Sequence, residues 1–373
     1  MRILYLADRI STRGGADLHL LDVIHWAAAR GFDVAVAAGR TEPGVALPDG
    51  VRVSMLRGLG ARDPHARLNG LDDLLAGANI VHVQNVMNPV ALARATAAGR
   101  TVVTVQDHRV FCPGPGRTLP DGNSCGRSMS MEACAECLPD HAYRRHLLAV
   151  TAERRDALAA AASLIVLSRY MARELEAAGL PGAEVLPPWV QPGAPRARAG
   201  DTVLLGGRLV RHKAVVEAWK AWQTSACGLR LRVAGSGPQA HHLLGAEPLG
   251  WLPREELRRE LRGARALLFP AGWQEPFGIL GVEALAEGTP VVVADSGGTC
   301  DWSDRGCLRV APGDVAAMAE GLLRLVRDPS LALSLGRDGQ AAVAERFAPA
   351  PLQARLETLY ASVSQGATPP AGR

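Results

Sequence analysis

Two glutamates eight positions apart, Glu275 and Glu283, stand in the stretch FPAGWQEPFGILGVEALAEGTPVVV that runs from Phe269 to Val293. The pattern reads as strand, loop, helix and second strand, the helix opening near Phe277 and Gly278 and closing at Gly288. A helix start leaves the N–H groups of Phe277, Gly278 and Ile279 without helical partners and gathers partial positive charge, which favours an anion such as a diphosphate. Gly278 and Gly281 let a ligand come close to the backbone. With Glu275 before the helix and Glu283 inside it, at about 1.5 Å of rise per residue, the carboxylates cannot grip one atom. They can hold separate groups of one elongated ligand, and a sugar and a ribose fit that description. Two glutamates alone are more often a helix-start acid and a solvated helix face. The strand on each side and Pro276-Phe277-Gly278 turn the reading towards a site.

A second concentration of chemistry is thiol. Cys112, Cys125, Cys134 and Cys137 follow the spacing C-x12-C-x8-C-x2-C inside a Gly/Pro-rich insertion at 108–141. Four thiols with one CxxC pair suit a closed tetrahedral zinc site that would fold a loop too polar to make its own core. An iron–sulfur cluster or two disulfides would use the same residues, and His108 or His141 could replace one ligand. Zinc leads, because a reducing compartment disfavours disulfides. Cys227, Cys300 and Cys307 read as small buried residues.

These residues must be positioned by the elements around them. Short runs rich in Val, Ile and Leu alternate with Ala/Leu-rich helical stretches: Arg2–Ala7, Asp33–Ala37, Val51–Met55, Ile80–Gln84, Thr101–Val105 and Leu164–Leu167, then Thr202–Leu205, Leu229–Val233, Ala266–Phe269 and Pro290–Val293. Continuous apolar strands separated by helices mean parallel sheets covered on both faces. The rhythm breaks in the Pro/Gly-rich stretch 191–200, which separates a domain at 1–190 from one at 201–350. A terminal helix at 351–365 is expected to pack back toward the first domain, followed by a Gly/Pro tail at 366–373. The fold class is therefore α/β, two Rossmann-like doubly wound domains facing across a cleft.

The 373 residues are 48% hydrophobic and 21% charged with a net charge of +4, and the cations are scattered, which disfavours a nucleic-acid partner. No apolar stretch approaches the roughly 20 residues that span a bilayer, and MRILYLADR enters a strand directly, so a cytoplasmic protein is expected. In His141–Arg155, Arg144, Arg145, Arg154 and Arg155 beside Leu147 and Leu148 could make a membrane-surface helix for a lipid acceptor. A solvated helix is the favoured reading. High Ala, Arg and Gly usage suggests a GC-rich bacterial genome.

Glu275, seven residues and Glu283 within EPFGILGVEALAEGTPVV resembles the two-glutamate signature of retaining GT-B glycosyltransferases of family 4 (glycosyl transferases group 1). The resemblance runs from residue 1 to about 363 and is strongest between 202 and 310. It implies that Glu275 binds donor-sugar hydroxyls near the anomeric carbon and Glu283 the ribose. Arg208 and Lys213 resemble the pair that neutralises the donor diphosphate, although Ala214 stands where the family commonly has Gly. Gly235 lies in a glycine turn after a strand, and Trp251 and Leu252 resemble the segment that contacts the nucleobase. Gly14 and Gly15 before a helix resemble the glycine loop that meets the donor phosphates. A nucleotide-sugar co-substrate and a hydroxyl acceptor are implied, and no metal is needed for catalysis because the cations do its work; there is no Asp-x-Asp motif.

Many family members carry a His-Asp pair after the fifth strand of the first domain, where this chain has Gln106-Asp107-His108. Either Gln106 supplies the hydrogen bond without titrating, or His108 takes over, or catalysis is weakened; His108 reads equally well as structural. The insertion is expected to shape acceptor choice. Within enzymes, a sugar epimerase or phosphorylase on the same scaffold is the alternative. Outside them it is a non-catalytic nucleotide-sugar binder, for which Gln106 is the one hint.

Overall fold

The structure, a computed structural model, describes residues 1–60 and 66–366. The chain forms two compact units, one of Met1–Arg117, Cys125–Pro187 and the chain from Pro351, the other of Thr118–Ser124 and Pro188–Ala350. The tail expected at 366–373 lies, from 367, outside the described residues.

The first unit alternates strands β1 (Arg2–Ala7), β2 (Asp33–Ala38), β3 (Arg52–Met55), β4 (Ile80–Gln84), β5 (Thr101–Val105), β6 (Ser163–Val166) and β7 (Glu184–Val185) with helices α1 (Gly15–Ala29), α2 (Leu71–Ala76), α3 (Pro89–Ala97), α4 (His141–Ala159) and α5 (Arg169–Ala177). Its sheet runs β3-β2-β1-β4-β5-β6-β7, every neighbouring pair parallel. β4 and β5 are buried along their whole length, as continuous apolar strands with helices on both faces must be.

The second unit repeats the scheme with β8 (Thr202–Gly206), β9 (Arg230–Ala234), β10 (Glu247–Gly250), β11 (Ala264–Phe269), β12 (Val291–Ala294) and β13 (Cys307–Val310), and with α6 (Val215–Ser225), α7 (Arg254–Gly263), α8 (Ile279–Ala286), α9 (Val315–Arg327) and α10 (Pro329–Arg346). Its order is β10-β9-β8-β11-β12-β13, again all parallel. The last helix, α11 (Pro349–Ser364), belongs from Pro351 to the first unit. Both units are thus doubly wound parallel-sheet domains. Periodicity does not announce β7, β10 and β13: each is an edge strand of two to four residues with at most half-buried side chains, so no apolar run marks it.

α11 is fixed to the first sheet by a buried polar contact. Tyr360 accepts or donates to His82 Nδ1 at 2.5 Å and to the Tyr5 hydroxyl at 3.3 Å, while His82 Nε2 meets Thr104 Oγ1 at 2.7 Å. Tyr5 lies on β1, His82 on β4 and Thr104 on β5, so one helix side chain meets two adjacent strands directly and reaches a third through His82.

Burial, with a smaller contribution from His19, lowers the His82 pKa to about 3 from 6.5. Between those values the unfolded chain takes up a proton that the folded chain refuses. The contribution is therefore complete above the unfolded pKa and declines as pH falls, by at most about 1.4 kcal/mol per pH unit. Urea unfolding between about pH 5 and 7 should show the stability gap between wild type and His82→Gln narrowing toward acid at that slope. A gap constant with pH would show that His82 is not buried neutral.

Candidate functional site

In the second sheet β8 leads to β9 on one side and β11 leads to β12 on the other. The loops that leave the carboxyl ends of these adjacent strands therefore meet with no crossover helix between them, the crevice where doubly wound sheets bind ligands. Lys213 comes from the first loop and Glu275 from the second. Lys213 Nζ lies 2.5 Å from Glu275 Oε2, and Trp273 Nε1 donates to the same oxygen at 2.8 Å. The ammonium also sits 4.9 Å from the centre of the Trp273 ring. A backbone bond reinforces the junction, Gly272 N–H to His212 O at 3.1 Å, and the His212 and Trp273 rings approach to 4.7 Å. Burial and then the neighbouring charges of Lys213 and Arg208 drive the His212 pKa down to about 4, so its ring adds no charge beside Lys213 near neutrality.

Glu275 is only 6% exposed, and its backbone is held as closely as its carboxylate. Gly298 N–H donates to Glu275 O at 2.6 Å, and a Cβ on Gly297 would fall 2.5 Å from that oxygen. Gly297 also takes a φ of 58°, so glycine is required there twice over. Beyond Glu275 the loop enters α8 through Gly278 at φ 91°. Trp302, fully buried, fixes that entry: its Nε1 donates to Phe277 O at 2.6 Å, and its ring occupies the space a Cβ on Gly281 would need, 2.1 Å away. Gly278 and Gly281 therefore serve ring packing, and at Gly281 the space expected for a ligand is filled by the Trp302 ring. Glu283, inside α8 and 6% exposed, faces Arg254 at the start of α7, with Nη2 to Oε1 at 3.5 Å.

Arg208 is exposed in the loop after β8. A Cβ on Gly235 would meet Gly207 O at 1.9 Å, which presses the β8 and β9 loops together and explains the glycine turn. Trp251 and Leu252, half-buried, follow β10 at the edge of this sheet.

The first unit holds the other expected residues. Gly14 caps α1 with extended backbone that any residue adopts, and Arg9 Nη2 grips Asp17 at 2.8 Å just inside the helix that Gly15 begins. Gln106, after β5, is buried: its Nε2 donates to His19 Nδ1 at 2.7 Å and to Gln84 Oε1 at 3.1 Å, and its Oε1 accepts from Asn85 at 2.8 Å. The partner tautomer of His19 is thereby fixed, with Nδ1 as acceptor. A small cavity is lined by Asn85, Gln106, Asp107, Arg109 and Arg154. Burial raises the Asp107 carboxyl, yet the charge and hydrogen bonds of Arg109 outweigh it and hold the group below its ordinary value. His108 turns elsewhere, its Nε2 3.0 Å from the Tyr170 hydroxyl and its ring edge-on to Phe111, so it packs the insertion onto α5. Gln106 and His108 do not meet.

In α4, Arg144 and Arg154 are buried and bond the carbonyls of Leu138 at 2.6 Å and Met87 at 2.7 Å. Two of the four arginines of the membrane-surface alternative are thus spent on backbone. No described helix is long and apolar enough to cross a membrane. The four clustered cysteines are half-buried and none is in a disulfide.

Sequence reasoning missed Trp273, His212, Arg254 and His19. Trp273 carried a usable signal, an indole two residues before Glu275 in a loop; the others lie far along the chain from what they touch.

Two Rossmann-like units, the second carrying a paired glutamate and lysine at its own switch-point crevice, have the features of the GT-B class of protein. The family models agree: residues 13–193 match Glycosyltransferase Family 4 and residues 200–328 match Glycosyl transferases group 1. The chain belongs to the group 1, family 4 glycosyltransferases of GT-B fold. Glycogen synthase of Mycobacterium tuberculosis is 31% identical over 196 residues, 48% of this chain and 47% of that protein. The 2-deoxystreptamine glucosyltransferase of Streptomyces kanamyceticus is 28% identical over 233 residues, 53% of this chain and 60% of that protein. The chain thus spans about half the length of these curated relatives. Sucrose-phosphate synthase from Thermosynechococcus elongatus superimposes with a TM-score of 0.71 at 19% identity, covering 98% of this chain and 100% of that one. Anabaena HepE in complex with UDP and glucose gives 0.69 at 17%, covering 97% and 100%. At these identities the likeness establishes the fold.

Ala214, where the family commonly has Gly, has φ 50° and ψ 37°, a left-handed conformation that costs an L-residue about 1–2 kcal/mol. Its Cβ also lies where a Cβ on Gly272 would come within 2.9 Å, so the β8 and β11 loops touch there without room to spare. Ala214→Gly should raise the urea midpoint by an amount worth about 1 kcal/mol, the relief of that conformation outweighing the added unfolded-state entropy. A lower midpoint would show that Ala214 carries no strain.

Proposed function

We propose that the protein is a retaining glycosyltransferase that moves a sugar from a nucleotide-sugar donor to a hydroxyl acceptor, with the donor held by the second unit. The observation that carries this reading is the Lys213–Glu275 contact at 2.5 Å across the loops after β8 and β11. It joins a cation suited to a diphosphate and a carboxylate suited to sugar hydroxyls at the crevice where doubly wound sheets bind nucleotides. An arriving diphosphate competes with Glu275 for Lys213. The released Glu275 oxygen, still held by Trp273, then accepts hydrogen bonds from hydroxyls of the donor sugar.

The charge that develops on the leaving diphosphate is met by Lys213, by the exposed Arg208 and by the first-turn amides of α8. Glu283 takes the ribose, oriented by Arg254. The resemblance to the retaining two-glutamate signature supports front-face transfer, in which the departing diphosphate accepts the proton of the acceptor hydroxyl. The bond from the anomeric carbon to the diphosphate breaks, the bond to the acceptor oxygen forms on the same face, and no protein side chain changes protonation. Catalysis then needs no metal.

In the first unit Gln106 acts as a positioning residue, holding the His19 ring and Gln84 in place. HepE has been crystallised with UDP-glucose, which makes UDP-glucose the first donor to try.

Donors are ranked by transfer or slow donor hydrolysis, and the anomeric configuration of the product is read by NMR. With the donor found, Glu275→Gln keeps the side-chain shape and should lower kcat by about 100-fold or more while nucleoside-diphosphate affinity changes by only a few-fold. Glu283→Ala should instead weaken nucleotide binding. Full activity in Glu275→Gln would sink the donor-site assignment, and an inverted product would remove the retaining part alone.

A further inference from the structure

The insertion between β5 and α4 has no stable core of its own. From Cys112 through Asp140 no apolar side chain is buried, and no helix or strand forms between Val105 and His141; an isolated bridge between Thr118 and Ser124 is the one recorded pairing. Structureless stretches longer than about 12–15 residues are uncommon within compact domains unless something ties them. Here the path of the chain carries four cysteines on neighbouring turns.

Three local features do this. Phe111 and Cys112 N–H both donate to His108 O, at 2.9 and 2.7 Å, so Cys112 leaves a tight turn anchored where His108 meets Tyr170. Arg117 then links two cysteines through its backbone: its N–H points to Cys112 Sγ at 3.4 Å and its carbonyl accepts Cys125 N–H at 2.7 Å. Cys134 N–H bonds Ser130 O at 3.1 Å and Leu138 N–H bonds Cys134 O at 2.9 Å, one helical turn that puts Cys134 and Cys137 on the same side. Gly114 closes the group, since a Cβ there would stand 4.0 Å from the sulfurs of both Cys112 and Cys137.

We infer that Cys112, Cys125, Cys134 and Cys137 close on one zinc-class divalent ion as a structural tetrathiolate that folds the insertion. Among the described residues no three His, Cys, Asp or Glu side chains are already grouped tightly enough to hold an ion. Closure requires the four thiols to turn toward one another about the turns just described. Each thiol gives up its proton on binding, and four thiolates around one dication are mutually tolerable only because the metal's charge offsets their repulsion. The Arg117 N–H to Cys112 sulfur bond is the kind of second contact that steadies a metal-bound thiolate. The ion lies within the first unit and takes no part in transfer.

The test uses the full chain purified under reducing conditions without chelator. Elemental analysis should find about one zinc per chain, with four fewer thiols open to alkylation than after unfolding in chelator. Cobalt exchanged for the zinc should give the strong visible absorption of a tetrahedral thiolate site. Cys134→Ser should lower bound zinc several-fold while Cys227→Ser leaves it unchanged. If the Cys134→Ser chain fails to fold, the wild-type metal content and cobalt spectrum decide alone. Substoichiometric metal with all four thiols reactive, iron with acid-labile sulfide, or two disulfides before any reductant is added would each overturn the zinc site. None of these outcomes bears on the donor site, whose test is the Glu275 series.

Discussion

In the second unit two parallel strands lie side by side while their chains depart in opposite directions, and the Lys213–Glu275 contact closes the gap that this leaves. Both charges are largely withdrawn from water, Glu275 more than Lys213, so neither could stay there without the other. Much of the neighbouring structure holds that pair in register. Gly297 and Gly298 fix the glutamate's carbonyl, Ser296 Oγ donates to the Trp273 carbonyl, and the Trp302 indole holds Phe277 at the mouth of α8. The result is a preorganised carboxylate whose orientation does not depend on a ligand.

The first unit solves a related problem with neutral groups. Its central strands carry His82, Gln84, Thr104 and, just beyond β5, Gln106, polar residues in a sheet that is otherwise apolar. They are accommodated by bonding one another, His19 and Tyr360 instead of water. The charged junction in one unit and the neutral network in the other are two ways of keeping polar groups paired away from water.

How much of this could be read from the chain follows from the range of each interaction. The central strands were legible because burial on both faces leaves uninterrupted Val, Leu and Ile runs, and the α8 region was legible because strand, loop, glycines and helix are contiguous. Edge strands such as Glu247–Gly250 were not, since half-exposed side chains carry no apolar signature. The bond between Lys213 and Glu275 joins residues 62 apart, and that between His19 and Gln106 joins residues 87 apart. Neither spacing has a period to detect. Ala214 shows the intermediate case: a departure from a family glycine is visible in the sequence, but the left-handed backbone it must adopt is visible only in three dimensions. The surroundings of Gln106 and His108 are likewise visible only in three dimensions, one among polar side chains and the other against Tyr170 and Phe111.

The return of α11 to the first sheet makes the order of synthesis matter. Every strand of the first unit has left the ribosome by Val185, yet the Tyr360 hydroxyl that satisfies His82 and Tyr5 comes much later, after the whole of the second unit has been made. A nascent chain therefore carries a first sheet with buried polar groups still open while the second unit, whose last stretch ends at Ala350, already has all its strands and can close. The first unit, begun before the second, is finished after it, and its final seal is the Tyr360 hydroxyl.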